Sequence, residues 1–149
     1  MPVDAALVGR TYPPSRPYEV GREKIREFAD AVRDGSPVYR DPEAAKALGY
    51  PDVVAPPTFP IVFALDAAFA VLRDPDVGID FSRVVHGDQS FTYSRPLRPG
   101  DRLVTVVEIA SARAAAGNDI LTLACSSSTE EGEHVVTSTL TLVARGTAE

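Results

Sequence analysis

The chain of 149 residues has one cysteine, two histidines, one methionine and no tryptophan. A lone thiol rules out an intrachain disulfide, and the alternating run LTLACSSST makes Cys125 a small buried hydrophobe rather than a reactive thiol, since no basic neighbour is at hand to lower its pKa. His86 and His134 are not spaced with cysteines or carboxylates as zinc ligands would be. The ten glycines are scattered; neither phosphate-binding pattern (GxGxxG, GxxxxGK[ST]) occurs, nor does the GxSxG nucleophile elbow. No cofactor is therefore expected. No apolar run approaches the roughly 20 residues that span a bilayer, and MPVDAALVGRTYPP lacks the charged and apolar regions of a signal peptide. These absences describe a soluble cytoplasmic protein with no membrane partner. The net charge is −6, with no basic stripe to neutralise a phosphate backbone, so nucleic acid is not expected as a partner either.

What is present suits one domain, residues 1–149, with 44% hydrophobic residues to build its core. Helical periodicity and prolines fill the first half; from residue 84 to 144 apolar and polar residues alternate between turn signals, an α+β order. Tyr18-Glu19-Val20 suits a short strand. GREKIREFADAVRD places Ile25, Phe28, Ala29 and Val32 on one helical stripe. Asp41-Pro42 supplies an N-cap and a first-turn proline for a short helix that Gly49 ends. PPTFPIVFALDAAFAVLRDP is apolar nearly all round, with Asp66 its single internal charge, which predicts a helix buried on most sides. VVHGDQSFTYSRPL, RLVTVVEIASAR, DILTLACSSST and EHVVTSTLTLVAR then read as strands, with hairpin turns at Gly117-Asn118 and Glu131-Gly132. A long antiparallel sheet can bury one apolar helix only by curving around it, which is the hot-dog fold. Two such protomers pair through edge strands, so a dimer is expected.

The residues left to carry chemistry are Asp34, Tyr39 and the VAPPTF segment in one region, and His86-Gly87-Asp88-Gln89 in another. The order FADAVRDGSPVYRDPEAAKALGYPDVVAPPTF followed by VVHGDQSFTYSRPLRPGD resembles the MaoC-like, R-specific enoyl hydratase and 3-hydroxyacyl dehydratase family over nearly the whole chain. The similarity is closest to its N-terminal-type half and to the non-catalytic subunit of the mycobacterial hydroxyacyl-ACP dehydratase heterodimer. Catalytic members carry roughly G-D-x-N-P-hydrophobic-H. Laid on that pattern, Asp34 matches the aspartate and Pro37 the proline, but Arg33 replaces the glycine, Ser36 the asparagine and Tyr39 the histidine.

Dehydration of a 3-hydroxyacyl thioester needs a base for the C2 proton, an acid for the departing C3 hydroxyl and a donor for the enolate-like oxygen. Histidine can serve as base and conjugate acid near neutrality, whereas tyrosine, with an ordinary pKa of about 10, is a poor base at pH 7. Tyr39 is therefore a pocket-lining donor or, less simply, a catalytic group. Asp34 is either the matched aspartate or ordinary Asp-Gly-Ser turn chemistry. His86, which a regular strand would place on one face with Asp88 and Ser90, is either a relocated base or a structural and interface residue. His134, at a strand start after a turn, reads as exposed.

Pro57, Thr58, Phe59, Val62 and Phe63 are the candidate substrate-binding residues, since a helix opening at PPTF could offer a backbone N–H to a thioester carbonyl. Ala64, Ala67, Ala68 and Ala70 either leave room for an acyl chain or let the sheet pack closely on the helix. Arg95, Arg98 and Arg102 are either a landing patch for an acidic carrier protein or scattered loop arginines. The resemblance implies an accessory, substrate-channel subunit of a heteromeric (3R)-hydroxyacyl-thioester dehydratase in fatty-acid or polyketide elongation. Its partner is a catalytic hot-dog subunit, and its substrate an acyl carrier protein or CoA thioester. The alternatives are a self-sufficient homodimer using Asp34 with Tyr39 or His86, and a binding module without turnover.

Overall fold

The computed structural model describes residues 2–148. The first amphipathic stripe forms α1 (Arg22–Ala31), with Ile25 and Ala29 buried and Phe28 packed half-buried against the core. Val32 departs from the expected stripe. It is the C-cap and 48% exposed, because the chain leaves the helix through Arg33, whose φ of 60° is left-handed. α2 (Pro42–Ala47) is capped as the sequence predicts: the Asp41 carboxylate accepts the Glu43 amide at 2.9 Å, and Gly49 takes the positive φ that turns the chain away.

The long apolar segment differs from expectation at its start and in its surroundings. Residues 57–60 form a turn, and α3 spans Ile61–Leu72 behind Pro60. The prolines set this boundary, since Pro56, Pro57 and Pro60 bring no N–H and Pro60 suits only the entry of a helix. One side of α3, formed by Phe63, Ala64, Ala68 and Val71, is buried. Leu65 and Phe69 are only half-buried, and Asp66 and Ala70 are exposed, so this chain alone covers one face of the helix rather than all of it.

That face rests on a sheet of β1 (Tyr18–Glu19), β2 (Val84–Tyr93), β3 (Arg102–Ala115), β4 (Asn118–Thr129) and β5 (His134–Ala144). All pairings are antiparallel, in the order β1-β3-β4-β5-β2. The β3–β4 turn falls one residue earlier than the sequence suggests, on Ala116 and Gly117 with φ of 52° and 76°, the paired left-handed geometry of a type I′ turn. Asn118 is already paired with Ala115 and donates its side-chain amide to the Ala115 and Ala116 carbonyls. Register places Val107, Cys125, Ser138 and Phe91 side by side on the face toward α3, and Ile109, Leu123, Leu140 and Gln89 in the next row. The sheet curls around α3 over these rows, which is the hot-dog fold. Small side chains permit the contact: Ala64 and Ala68 are fully buried, and the Cys125 Sγ lies 4.0 Å from the Ala64 carbonyl oxygen.

Burial pushes the Cys125 thiol up to about 12. The native protein should therefore resist a disulfide reagent at pH 8 and consume one equivalent when denatured, as absorbance of the released thiolate would show.

The N-terminal arm runs along the outer side of β3. Gly9, Tyr12 and Ser15 donate their amides to the Ile109, Val107 and Thr105 carbonyls at 2.8, 2.9 and 2.9 Å. Arg10 and the Tyr12 hydroxyl both donate to Asp74 just past α3, at 3.0 and 2.7 Å, which ties the arm to the end of that helix. On the opposite side β2 pairs only with β5, so its outer edge meets no strand among the described residues. No helix among them is long and apolar enough to cross a membrane.

Candidate functional site

The segment after α1 is built to bring Asp34 and Tyr39 together. Left-handed Arg33 turns the chain, and Asp34 Oδ1 then accepts the Ser36 amide at 3.1 Å in an Asx turn. Pro37–Tyr39 make a single 3-10 turn that carries the phenol back toward the carboxylate. Arg40 fixes this arrangement by donating to the Asp34 carbonyl and, at 2.5 Å, to Asp30 Oδ1. Asp34 thus shapes a turn, as the turn reading expects, and its charge is near enough to act on the Tyr39 phenol. Burial, followed by the charge of Asp34, raises the Tyr39 phenol above its ordinary 10. At pH 7 Tyr39 is accordingly a hydrogen-bond donor and not a base.

Tyr39 also lines an apolar cleft of about 490 Å³ with Val38, Tyr50, Ala55, Pro57 and Tyr93. Tyr93 donates its hydroxyl to the Pro57 carbonyl at 2.7 Å, and burial followed by nearby Tyr39 raises its phenol too. Beside the cleft, Ser94 Oγ lies 2.5 Å from His134 Nδ1, while His134 Nε2 lies 2.8 Å from Thr137 Oγ1. His134 is therefore half-buried and held at both ring nitrogens rather than simply exposed. Neither Tyr93 nor the Ser94–His134 pair stood out in the sequence. The signal for Tyr93 is its place in the period of two with Gln89 and Phe91, which puts all three on the face toward α3.

A second cleft, of about 850 Å³, lies between the arm and α3, over Thr105 and Val107 of β3. Tyr18, Phe63, Ala67 and Ala70 contribute to its walls. This divides the four alanines: Ala64 and Ala68 let the sheet approach, whereas Ala67 and Ala70 face open space. The five substrate-binding candidates also separate. Pro57 lines the first cleft and Phe63 the second, Phe59 is fully buried, Val62 is half-buried in the same apolar cluster, and Thr58 is exposed. The amides of Phe59, Ile61, Val62 and Phe63 donate to the carbonyls of Pro56, Thr58, Phe59 and Pro60, so those four N–H groups are engaged in the turn leading into α3.

His86 stands apart from these residues. A β-bulge pairs His86 with Leu142 and Asp88 with Thr141, leaving Gly87 as the extra residue. The bulge breaks the period of two, so His86 and Asp88 do not share the face that a regular strand would give them. A Cβ on Gly87 would meet Val143 Cγ2 at 3.2 Å, which explains the glycine at this close approach to β5. The exposed His86 ring has its Nε2 3.1 Å from the Asp88 carbonyl oxygen, and seven residues of strand, roughly 23 Å, separate it from Tyr93.

The arginine patch is largely neutralised. Arg95 pairs with Asp101 at 2.8 Å and Glu133 at 2.9 Å, and Arg102 with Glu130 at 3.1 Å and Glu19 at 3.5 Å. Arg98 alone of the three carries no ion pair among the described residues. No group of three or more His, Cys, Asp or Glu among those residues could hold a metal ion.

Residues 6–138 match the family described as FAS1-like, dehydratase domain region. UPF0336 proteins of Saccharopolyspora erythraea and Streptomyces coelicolor are each 58% identical over 149 residues, covering 100% of this chain and 96% and 99% of theirs. Among solved structures, a MaoC-like dehydratase superposes with a TM-score of 0.87 at 38% identity, over 94% of this chain and 42% of that longer one. A chain of the C-terminally truncated HadBC (3R-hydroxyacyl-ACP dehydratase) complex from Mycobacterium tuberculosis superposes with a TM-score of 0.82 at 35% identity, over 92% of this chain and 96% of that one.

Proposed function

From the premise that this chain belongs to the FAS1-like dehydratase-domain family and has its hot-dog fold, we propose that it is the accessory subunit of a heteromeric (3R)-hydroxyacyl-thioester dehydratase working in the cytoplasm. The partner hot-dog subunit supplies the complete aspartate and histidine pair, and this chain supplies apolar clefts for the acyl group. One observation supports the reading: burial and the charge of Asp34 raise the Tyr39 phenol, so the residue at the position of the family's histidine cannot serve at neutral pH as the base for the C2 proton. His86 lies far along β2 and His134 is committed at both nitrogens. The uncovered edge of β2 and the half-covered side of α3 suit a second hot-dog subunit, and the HadBC chain comes from a complex of such a kind. Fatty-acid or polyketide elongation is where this chemistry belongs. The carrier is CoA or an acyl carrier protein, although the neutralised arginines at 95 and 102 offer an acidic carrier little to land on.

The influence of Asp34 on the Tyr39 phenol favours one alternative, a self-sufficient homodimer using Asp34 with Tyr39 as the acid. Crotonyl-CoA hydration separates the two. The isolated chain should stay near background and gain about a hundredfold to ten-thousandfold with a partner hot-dog subunit that contributes a general base. Robust turnover by the isolated chain, lost in Asp34→Ala or His86→Ala, would overturn the accessory role. Acyl-CoA binding without turnover in any pairing would make it a binding module instead.

A further inference from the structure

Just past the end of β2 the chain holds a hydroxyl against an imidazole. Ser94 Oγ lies 2.5 Å from His134 Nδ1, and the other ring nitrogen, Nε2, lies 2.8 Å from Thr137 Oγ1. Links on either side fix the two residues across the strand ends. Ser94 donates its amide to the Val135 carbonyl at 2.8 Å, and Arg95 pairs with Glu133 at 2.9 Å while Asp101 holds Arg95 at 2.8 Å. Ser94 is exposed and lines the smaller cleft with Tyr39, Pro57 and Tyr93; of the pair, only Ser94 belongs to that lining.

A serine hydroxyl is a weak nucleophile unless a base stands at it and a further group orients that base. A neutral imidazole donates from one nitrogen and accepts at the other, so a ring that donates Nε2–H to Thr137 presents an acceptor at Nδ1 to the serine hydroxyl. We propose that Ser94 and His134 form a nucleophile–base pair that hydrolyses acyl thioesters at the smaller cleft, an activity separate from dehydration. The choice of a thioester rests on the reading above. His134 Nδ1 takes the Ser94 proton as Oγ bonds to the thioester carbonyl carbon; the C–S bond then breaks, and the proton passes from His134 to the departing sulfur. Water attacks the acyl-serine ester, its proton returns through His134 to Ser94 Oγ, and a carboxylic acid leaves. The Tyr39 phenol, protonated at neutral pH, is a donor on the same lining for the carbonyl oxygen as negative charge builds there.

Butyryl-CoA added to the isolated chain tests this, because that thioester has neither a 3-hydroxyl nor a double bond and reads nothing of the dehydratase reaction. CoA release can be followed with a disulfide reagent, to which buried Cys125 adds no signal. Release should be abolished in Ser94→Ala, an exposed position where alanine leaves the core intact. It should fall about a hundredfold to ten-thousandfold in His134→Gln, which leaves the nucleophile without its base. A fluorophosphonate, which an activated serine captures irreversibly, should label the peptide containing Ser94 in the natural sequence and lose most of that label in His134→Gln. Release that persists in Ser94→Ala, or a natural chain that neither releases CoA nor takes the label, overturns the pair. Label at Ser94 without release keeps the nucleophile and removes the thioester as its substrate. Crotonyl-CoA hydration by the partnered complex, with no label at Ser94, removes the pair and keeps the dehydratase reading.

Discussion

Tyr39→His combined with Ser36→Asn should raise crotonyl-CoA hydration by the isolated chain about a hundredfold, the lower end of what one positioned base contributes. The loop already brings position 39 to the Asp34 carboxylate through the Asx turn and the short 3-10 turn, and Arg40 anchors that geometry. What is missing is a group able to take a proton at neutral pH. The Tyr39 phenol is displaced above 10, away from the working range, whereas imidazole titrates near 6.5. The gained activity should follow a pH profile with a limb near neutrality and disappear when Asp34→Asn is added. A steady-state assay following loss of the enoyl thioester chromophore measures all three. An unchanged rate would locate the deficiency elsewhere, at Arg33 or in the donor for the enolate oxygen.

Phe59→Ala should cost about 3–5 kcal/mol of stability and lower the melting temperature by about 10 °C for a chain of this size. Phe59 is fully buried and touches the rings of Phe28 and Phe63, so one side chain joins α1, the Pro-rich turn and α3. Its removal leaves a phenyl-sized cavity lined by groups on three elements, which cannot all move inward together. Chemical denaturation would show the loss. A change under about 1 kcal/mol would mean that the cluster closes over the gap.

Many local signals were legible, although the start of α3 and the β3–β4 turn were both misplaced. Asp41-Pro42 opened its helix, Gly132 turned its hairpin, and the apolar stripe of α1 held through Ala29. The pairing of Tyr39 with Asp34 came from the family resemblance, and the influence of Asp34 on the Tyr39 phenol accords with their closeness in sequence. Long-range effects were not legible. The bulge at Gly87 sits where a Cβ would crowd Val143 on β5, and it removed the expected shared face of His86 and Asp88. The ion pairs of Arg95 and Arg102 join residues far apart in sequence, so an apparent basic patch became a neutral one. The alanines of α3 could not be assigned from their row alone, since the curl of the sheet decides which of them meet backbone and which meet open space.

The Pro-rich arm along β3 has one more effect. A sheet with two bare margins can recruit a neighbour on each and grow without end, but here the arm and two-residue β1 lie along the β3 margin with their own hydrogen bonds, so among the described residues β2 is the long strand left open at an edge. Such a molecule has a valence of one for strand addition. Whatever docks along β2, another copy or a different chain, meets no second long bare strand on the far margin, which favours pairing over propagation of a filament.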